Sequence, residues 1–247
     1  MDLHIHSQYS HGKGSIQDII KVGITKNLDY LAITEHVRFQ SSWFASFLSE
    51  MEAAQKEKHI EVLSGIESKV LDFCGRLDAT ERMVQTVDLI VASVHRIPTF
   101  HDMSGDLVVE KVNQDRAYVV DLYLRALSGI ASNPEVDVAG HPFHLLKAMG
   151  VKKIGREYKI ELAKLFSISE KAVEVNSFYH VPDLEFLKIC VREGVRISIG
   201  SDAHTLEDVG NVKWSMRLLK EAGGTAEDII DVESILARRK YARSLKL

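Results

Sequence analysis

Short apolar runs alternate along this chain with longer stretches whose apolar positions recur at helical spacing. That is the pattern of strands joined by helical crossovers. Asp2-Leu3-His4-Ile5-His6 reads as a first strand, with Leu3 and Ile5 on one face and His4 and His6 on the other. Ser15 predicts an N-cap, with Asp18 three residues on, for a helix from Ile16 to Lys26. Six more strands are predicted: Tyr30 to Thr34, Ile60 to Ile66, Val87 to Val94, Val136 to Ala139, Ala172 to Asn176 and Arg196 to Gly200. The helices between them are predicted at Ser42 to Lys58, Ala79 to Thr86, Gly105 to Ser132, Arg156 to Phe166 and Asp183 to Glu193. Asn133-Pro134 and Gly194 act as stops. Leu206 to Glu221 and Ala226 to Arg239 read as closing helices.

Strand-helix alternation implies an α/β fold with parallel strands and right-handed crossovers. Seven such units form a TIM-like barrel one unit short of the standard eight. An open doubly wound sheet would gather its polar residues at one switch point. Here every predicted strand except the sixth carries a His or carboxylate at or just past its C-terminal end. A ring of such residues at one rim is what a barrel produces. Few prolines, and no Gly/Ser-rich or charge-block segment, predict one domain over residues 1–247.

Composition narrows the function classes. A net charge of −4 offers no electrostatic footprint for a long nucleic acid, while leaving room for a local basic pocket. Two cysteines, Cys74 and Cys190, lack pairing or metal spacing and are expected as free buried thiols in a reducing cytoplasm. No run approaches membrane-spanning length, and because the first strand starts at once no leader is expected.

The rim set is His4, His6, His11, Glu35, His36, Glu67, His95, His141, Asp202 and His204. Imidazole with carboxylate suits zinc, iron or manganese, and so many ligands exceed the need of one ion. His59, His101, His144 and His180 lie elsewhere in the pattern and read as ordinary polar residues.

Together, Asp2-Leu3-His4-Ile5-His6-Ser7, Thr34-Glu35-His36, Gly65-Ile66-Glu67, Ser93-Val94-His95, Gly140-His141-Pro142 and Gly200-Ser201-Asp202-Ala203-His204 resemble the polymerase and histidinol phosphatase (PHP) family. The resemblance covers essentially the whole chain, with the motifs in family order. It implies a distorted (β/α)7 barrel with three divalent ions, zinc, manganese or iron, at its C-terminal rim. His4, His6, Glu67 and Asp202 would hold the first ion. Glu67 would bridge to the second, with His95 and His141. His11, His36 and His204 would hold the third. Glu67, Asp202 and His95 would carry catalysis through the ions they hold, and Glu35 would orient an imidazole. Related amidohydrolases bridge their metals with a modified Lys; an ordinary carboxylate there favours phosphoester hydrolysis.

The implied activity is hydrolysis of a small phosphomonoester by a metal-bridging hydroxide, as in histidinol phosphatases. The alternative is a nuclease or nucleotide phosphoesterase. Candidate phosphate-holding cations are Lys13, Arg38, Arg76 and Arg96, with Arg96 expected to point away from His95. Lys13 precedes a helix start whose N–H groups favour anions. Asn176 ends the strand without a ligand and is a candidate substrate contact. His144 and His180 are candidate proton donors, His180 also a substrate contact. The expected partner is a small phosphorylated molecule, with no membrane or long nucleic acid, and the protein a monomer or homo-oligomer.

Overall fold

Seven parallel strands stand side by side in chain order: β1 (Asp2–Ile5), β2 (Tyr30–Val37), β3 (Glu61–Lys69), β4 (Leu89–Ser93), β5 (Val138–Ala139), β6 (Ala172–Asn176) and β7 (Ile197–Gly200). The structure, a computed structural model, describes residues 1–100, 105–151 and 153–244, so His101 lies outside the described residues. The sheet curls into a nearly closed barrel. Its seam joins β1 to the segment just past β7: the Asp202 N–H donates to the His4 carbonyl at 2.8 Å, and the His6 N–H to the Ala203 carbonyl at 2.9 Å.

β1 departs from strict alternation. Asp2 pairs with Leu31 and Ile5 with Ile33, so three steps on β1 face two on β2. This is a bulge, which adds one residue and turns the strand. Leu3 therefore joins Ala32, Leu63 and Val138 inside the barrel, while Ile5 packs with Ile33 and Ile66 beneath the helices. Leu3 and Ile5 do not share a face as alternation predicts.

The helices are α1 (Ile16–Thr25), α2 (Phe44–Ala54), α3 (Glu81–Thr86), α4 (Gly105–Gln114), α5 (Arg116–Ser132), α6 (His144–Ala148), α7 (Arg156–Ile168), α8 (Leu184–Arg192), α9 (Lys213–Glu221) and α10 (Val232–Ser244). Ser15 caps α1 as expected, accepting from the Asp18 N–H at 3.2 Å. The helix predicted over Gly105 to Ser132 divides at Asp115, whose carboxylate accepts the Tyr118 N–H at 3.0 Å and starts α5 afresh. The short α6 carries too few residues for a periodic signal. No described helix is long and apolar enough to cross a membrane.

The chain plugs the N-terminal end of the barrel with its last helix. Ile230, Val232 and Ile235 close over Leu3, Leu89 and Ala172. Arg239 holds Asp137 at 2.7 Å, Arg238 pairs with the same carboxylate, and Arg243 holds Asp88 at 3.0 Å. With that end sealed, the C-terminal rim is left as the open face. Cys190 is buried as expected; Cys74 is exposed, in a turn held by Asp72.

Candidate metal centre

The rim residues converge on the carboxylate of Glu67, which is buried on the inward face of β3. Its Oε1 lies 2.8 Å from His141 Nε2 and 3.1 Å from His95 Nε2. Its Oε2 lies 2.8 Å from His36 Nδ1, 3.4 Å from His4 Nε2 and 3.6 Å from His6 Nε2. The Ser93 hydroxyl donates to Oε1 at 2.6 Å. Asp202 stands opposite, 3.2 Å from His6 Nε2 and 3.9 Å from His4 Nε2. His204 Nδ1 faces the Asp202 backbone carbonyl at 2.9 Å, and its ring lies 4.5 Å from that of His6. His11 is exposed, its ring 5.1 Å from that of His36.

The sixth strand carries a carboxylate after all. Glu174 lies inward on β6 between Val173 and Val175 and is fully enclosed. Its Oε1 meets His4 Nδ1 at 2.8 Å, and its Oε2 accepts the His141 backbone N–H at 2.6 Å. An ionised carboxylate only accepts, so His4 donates from Nδ1 to Glu174 and presents Nε2 toward Glu67, the nitrogen whose lone pair a bound cation would take. Gly200 makes room: a Cβ there would lie 2.2 Å from Glu174 Oε1 and 2.7 Å from the His4 Cβ. Asn176, expected at the substrate, is buried, and its amide donates to Asp202 at 3.1 Å and to Glu174 at 3.3 Å. β6 thus orients ligands from three other segments.

Glu35 contacts a loop, where an imidazole was expected. β2 alternation turns His36 inward and Glu35 outward. The Glu35 carboxylate accepts the Ser7 N–H at 2.8 Å and the Ser10 hydroxyl, pinning the loop that presents His11. Gly12 presses that loop onto β1, since a Cβ there would meet the His6 carbonyl oxygen at 2.0 Å.

Two rim residues hold left-handed backbone, His141 at φ 25° and Asp202 at φ 56°. Such conformations persist where surrounding contacts enforce them, commonly at functional sites.

The electrostatics follow from burial against charge. Burial would raise Glu67, but the charges of His95, His36 and His4 hold it well below the usual carboxylate range. Burial would likewise raise Asp202, but the charge of His4 and the His6 ring set against it hold it well below that range. Burial pulls His4 down, yet Glu174, Asp202 and Glu67 together lift it well above an ordinary imidazole. His6 is pushed by burial down to about 3.

The buried atoms that lack a hydrogen-bond partner include His4 Nε2, both ring nitrogens of His6 and Glu67 Oε2. Enclosed polar atoms are costly unless something meets them. A divalent cation fits that role and that donor chemistry. Three groups place ligand atoms within 4.8 Å of one another: His4-His6-Glu67, His36-Glu67-His95 and His6-His36-His204.

A cleft of about 700 Å³ opens beside these ligands. Arg96 lines it with His95. β4 ends at Ser93, so strand alternation does not reach Arg96 and turn it away. Arg38, Lys69, Tyr9, Trp43 and Tyr179 also line it; of these only Arg38 was singled out in the sequence. Lys13 and Arg76 are not among the lining residues, and Arg76 pairs with Asp72 at 3.1 Å. His180 is exposed and rests 4.7 Å from the Trp214 ring, also outside the lining. His144 stacks on Tyr179 at 3.5 Å, and burial pushes it down to about 4.

Known proteins are similar to this chain in sequence or in fold. A probable phosphatase of Thermoanaerobacter sp. (strain X514) is 26% identical, over 100% of this chain and 95% of the relative. The DNA polymerase/3'-5' exonuclease PolX of Bacillus subtilis (strain 168) is 26% identical over 95% of this chain, which matches 39% of that longer protein. In fold, the chain is similar to histidinol phosphate phosphatase of Lactococcus lactis, solved with zinc, L-histidinol and phosphate. That likeness has a TM-score of 0.60 at 18% identity and covers 93% of this chain and 98% of the other. The PHP domain profile matches residues 2–178, a span holding seven of the nine expected ligands, and with the barrel seam bringing Asp202 and His204 to the other seven, the chain belongs to the PHP domain family.

Proposed function

We propose that this chain is a metal-dependent phosphatase of small phosphomonoesters. The observation that carries the reading is the position of Glu67, whose two oxygens face separate imidazole groups, His95 and His141 on one side and His4, His6 and His36 on the other. The convergence supports Glu67 as a bridge between two divalent ions. His4, His6 and Asp202 would complete the first site, His95 and His141 the second. His11, His36 and His204 would hold a third. Bound there, such ions supply an acidified water as nucleophile and positive charge against the phosphate oxygens.

The chain's own residues order the rest. Glu174 and Asn176 hold His4, the His141 backbone and Asp202 in place before substrate arrives. Tyr179 lines the cleft with its phenol pushed by burial up to about 12, so it keeps its proton and serves as a hydrogen-bond donor. His144 is neutral at neutral pH and stacked flat, and His180 lies outside the cleft lining; neither is placed as the leaving-group acid. The one-domain organisation and a cytoplasmic setting belong to the same reading.

Phosphate release from a panel of phosphomonoesters, including L-histidinol phosphate, tests it with protein loaded separately with manganese and with zinc. Turnover on monoesters is expected; none on any ester with either metal would sink the reading. The similarity to PolX over nearly the whole chain favours a second reading, a nuclease. Digestion of single-stranded DNA with little monoesterase activity would select it.

A further inference from the structure

Three cations line the cleft beside the metal centre, on the side built by β2, β3 and β4. Strand alternation explains one of them, and the end of β2 presents another. His36 and Glu67 are register partners across β2 and β3, followed by Val37 and Ser68. Lys69, the last residue of β3, comes two positions after Glu67 and continues its inward row by one step; Arg38 comes two positions after His36, just past the end of β2, and lines the same cleft. That step lifts Lys69 roughly 6–7 Å above the ligand layer. Arg96 joins them from the segment after β4.

Asp78 fastens the ends of β2 and β3 from behind. Asp78 is buried and accepts the Phe39 N–H at 3.1 Å, while its other oxygen lies 3.2 Å from Lys69 Nζ. The Ser41 hydroxyl accepts the Arg38 N–H at 3.0 Å. Both strand ends are thereby held with their cations over the cleft. Among the described lining residues, Glu67 carries the single carboxylate, and it is committed to the imidazoles.

Resting on the phosphatase reading, we infer that Arg38, Lys69 and Arg96 form a second anion subsite. It selects a phosphomonoester whose leaving group carries a further phosphate or carboxylate, roughly 6–7 Å from the scissile phosphorus. A leaving group with an ammonium, as in L-histidinol phosphate, brings a like charge to these cations.

The test compares kcat/KM of the metal-loaded full chain on 1,3-propanediol bisphosphate, 4-phosphooxybutanoate, 3-hydroxypropyl phosphate and phosphocholine. The esters with a second anion are expected to exceed the neutral one by about tenfold or more, the effect of charge-assisted contacts. Phosphocholine should fall below the neutral ester. The first two substrates distinguish a phosphate from a carboxylate preference. In Arg38→Met and Lys69→Met the ratio of doubly anionic to neutral ester should drop toward one. A ratio cancels any general loss of folding or metal, and Arg38 is an exposed position. Equal or reversed preference in the unaltered protein, or a ratio untouched in both variants, overturns the subsite while leaving a phosphatase. No hydrolysis of any ester overturns the phosphatase reading and the subsite with it.

Discussion

Glu174 Oε1 lies 2.8 Å from Nδ1 of His4, across a gap that exists because residue 200 is glycine. A carboxylate behind a ligand imidazole fixes its tautomer and raises its basicity. Glu174→Gln keeps the shape but removes the charge and one of two acceptors, which now serve His4 and the His141 N–H. Metal affinity should fall about 10- to 100-fold. Competition against a calibrated chelator would measure it. Gly200→Ala should act in the same direction, because its Cβ would displace the same pair. Unchanged affinity in both variants would mean that Glu174 has no hold on the ligand.

Glu67→Ala should abolish turnover and release at least one ion, measured by metal analysis after desalting. The other rim side chains would then face one another across a hole with no shared anion. His144→Ala and His180→Ala are the contrast, since neither ring approaches Glu67 or Asp202 within ion-pair distance. Metal content should stay as in the parent protein. Full metal and full turnover in Glu67→Ala would refute the bridge, and metal loss in either His variant would mark a missed ligand.

Much of this centre is legible in the residue order because strand ends in a parallel barrel share one rim, so ligands show up as His and acid after apolar runs. What escapes is what that rule does not cover. Glu174 sits inside a strand between two valines, two places before Asn176, where a charge in a buried parallel strand is itself the signal. The β1 bulge leaves no composition mark, so Leu3 and Ile5 looked equivalent. Glu35 and His36 fall within β2 rather than after it, and alternation then sends them to opposite faces. Lys69 was not singled out, because its place over the cleft depends on β3 extending past Glu67.

Glu35 should matter through the loop it holds. Glu35→Ala leaves the Ser7 N–H and Ser10 hydroxyl without their acceptor, a cost of about 1–3 kcal/mol for the buried donor. His11 rides on that loop. The expected outcome is a drop in metal stoichiometry with His4, His6 and Glu67 still loaded. Retention of every ion, with only a lower thermal midpoint, would show that the loop stabilises the fold without serving the centre.

The metal-free protein should lose stability as pH rises above neutral, and added metal should remove that loss. His4 and His141 are raised above the ordinary 6.5: burial opposes their charge, but surrounding carboxylates outweigh it, Glu174 first for His4 and Glu67 for His141. A raised group adds stability that is complete below its unfolded value and disappears as pH climbs through its folded value. His6 works the other way. Lowered to about 3, it makes the folded chain lose stability as pH falls from 6.5 toward that value. For these imidazoles the metal-free chain is therefore most stable near 6.5 and weakens above it. Bound cations replace the protons that balance Glu67 and Asp202, and they bind deprotonated imidazole better. Thermal unfolding of chelator-stripped and zinc-loaded protein at pH 6.5 and about pH 8.5 would check this. The stripped midpoint should fall between the two and the loaded midpoint should not. A stripped midpoint that rises with pH would mean the carboxylates are not what keeps His4 and His141 charged.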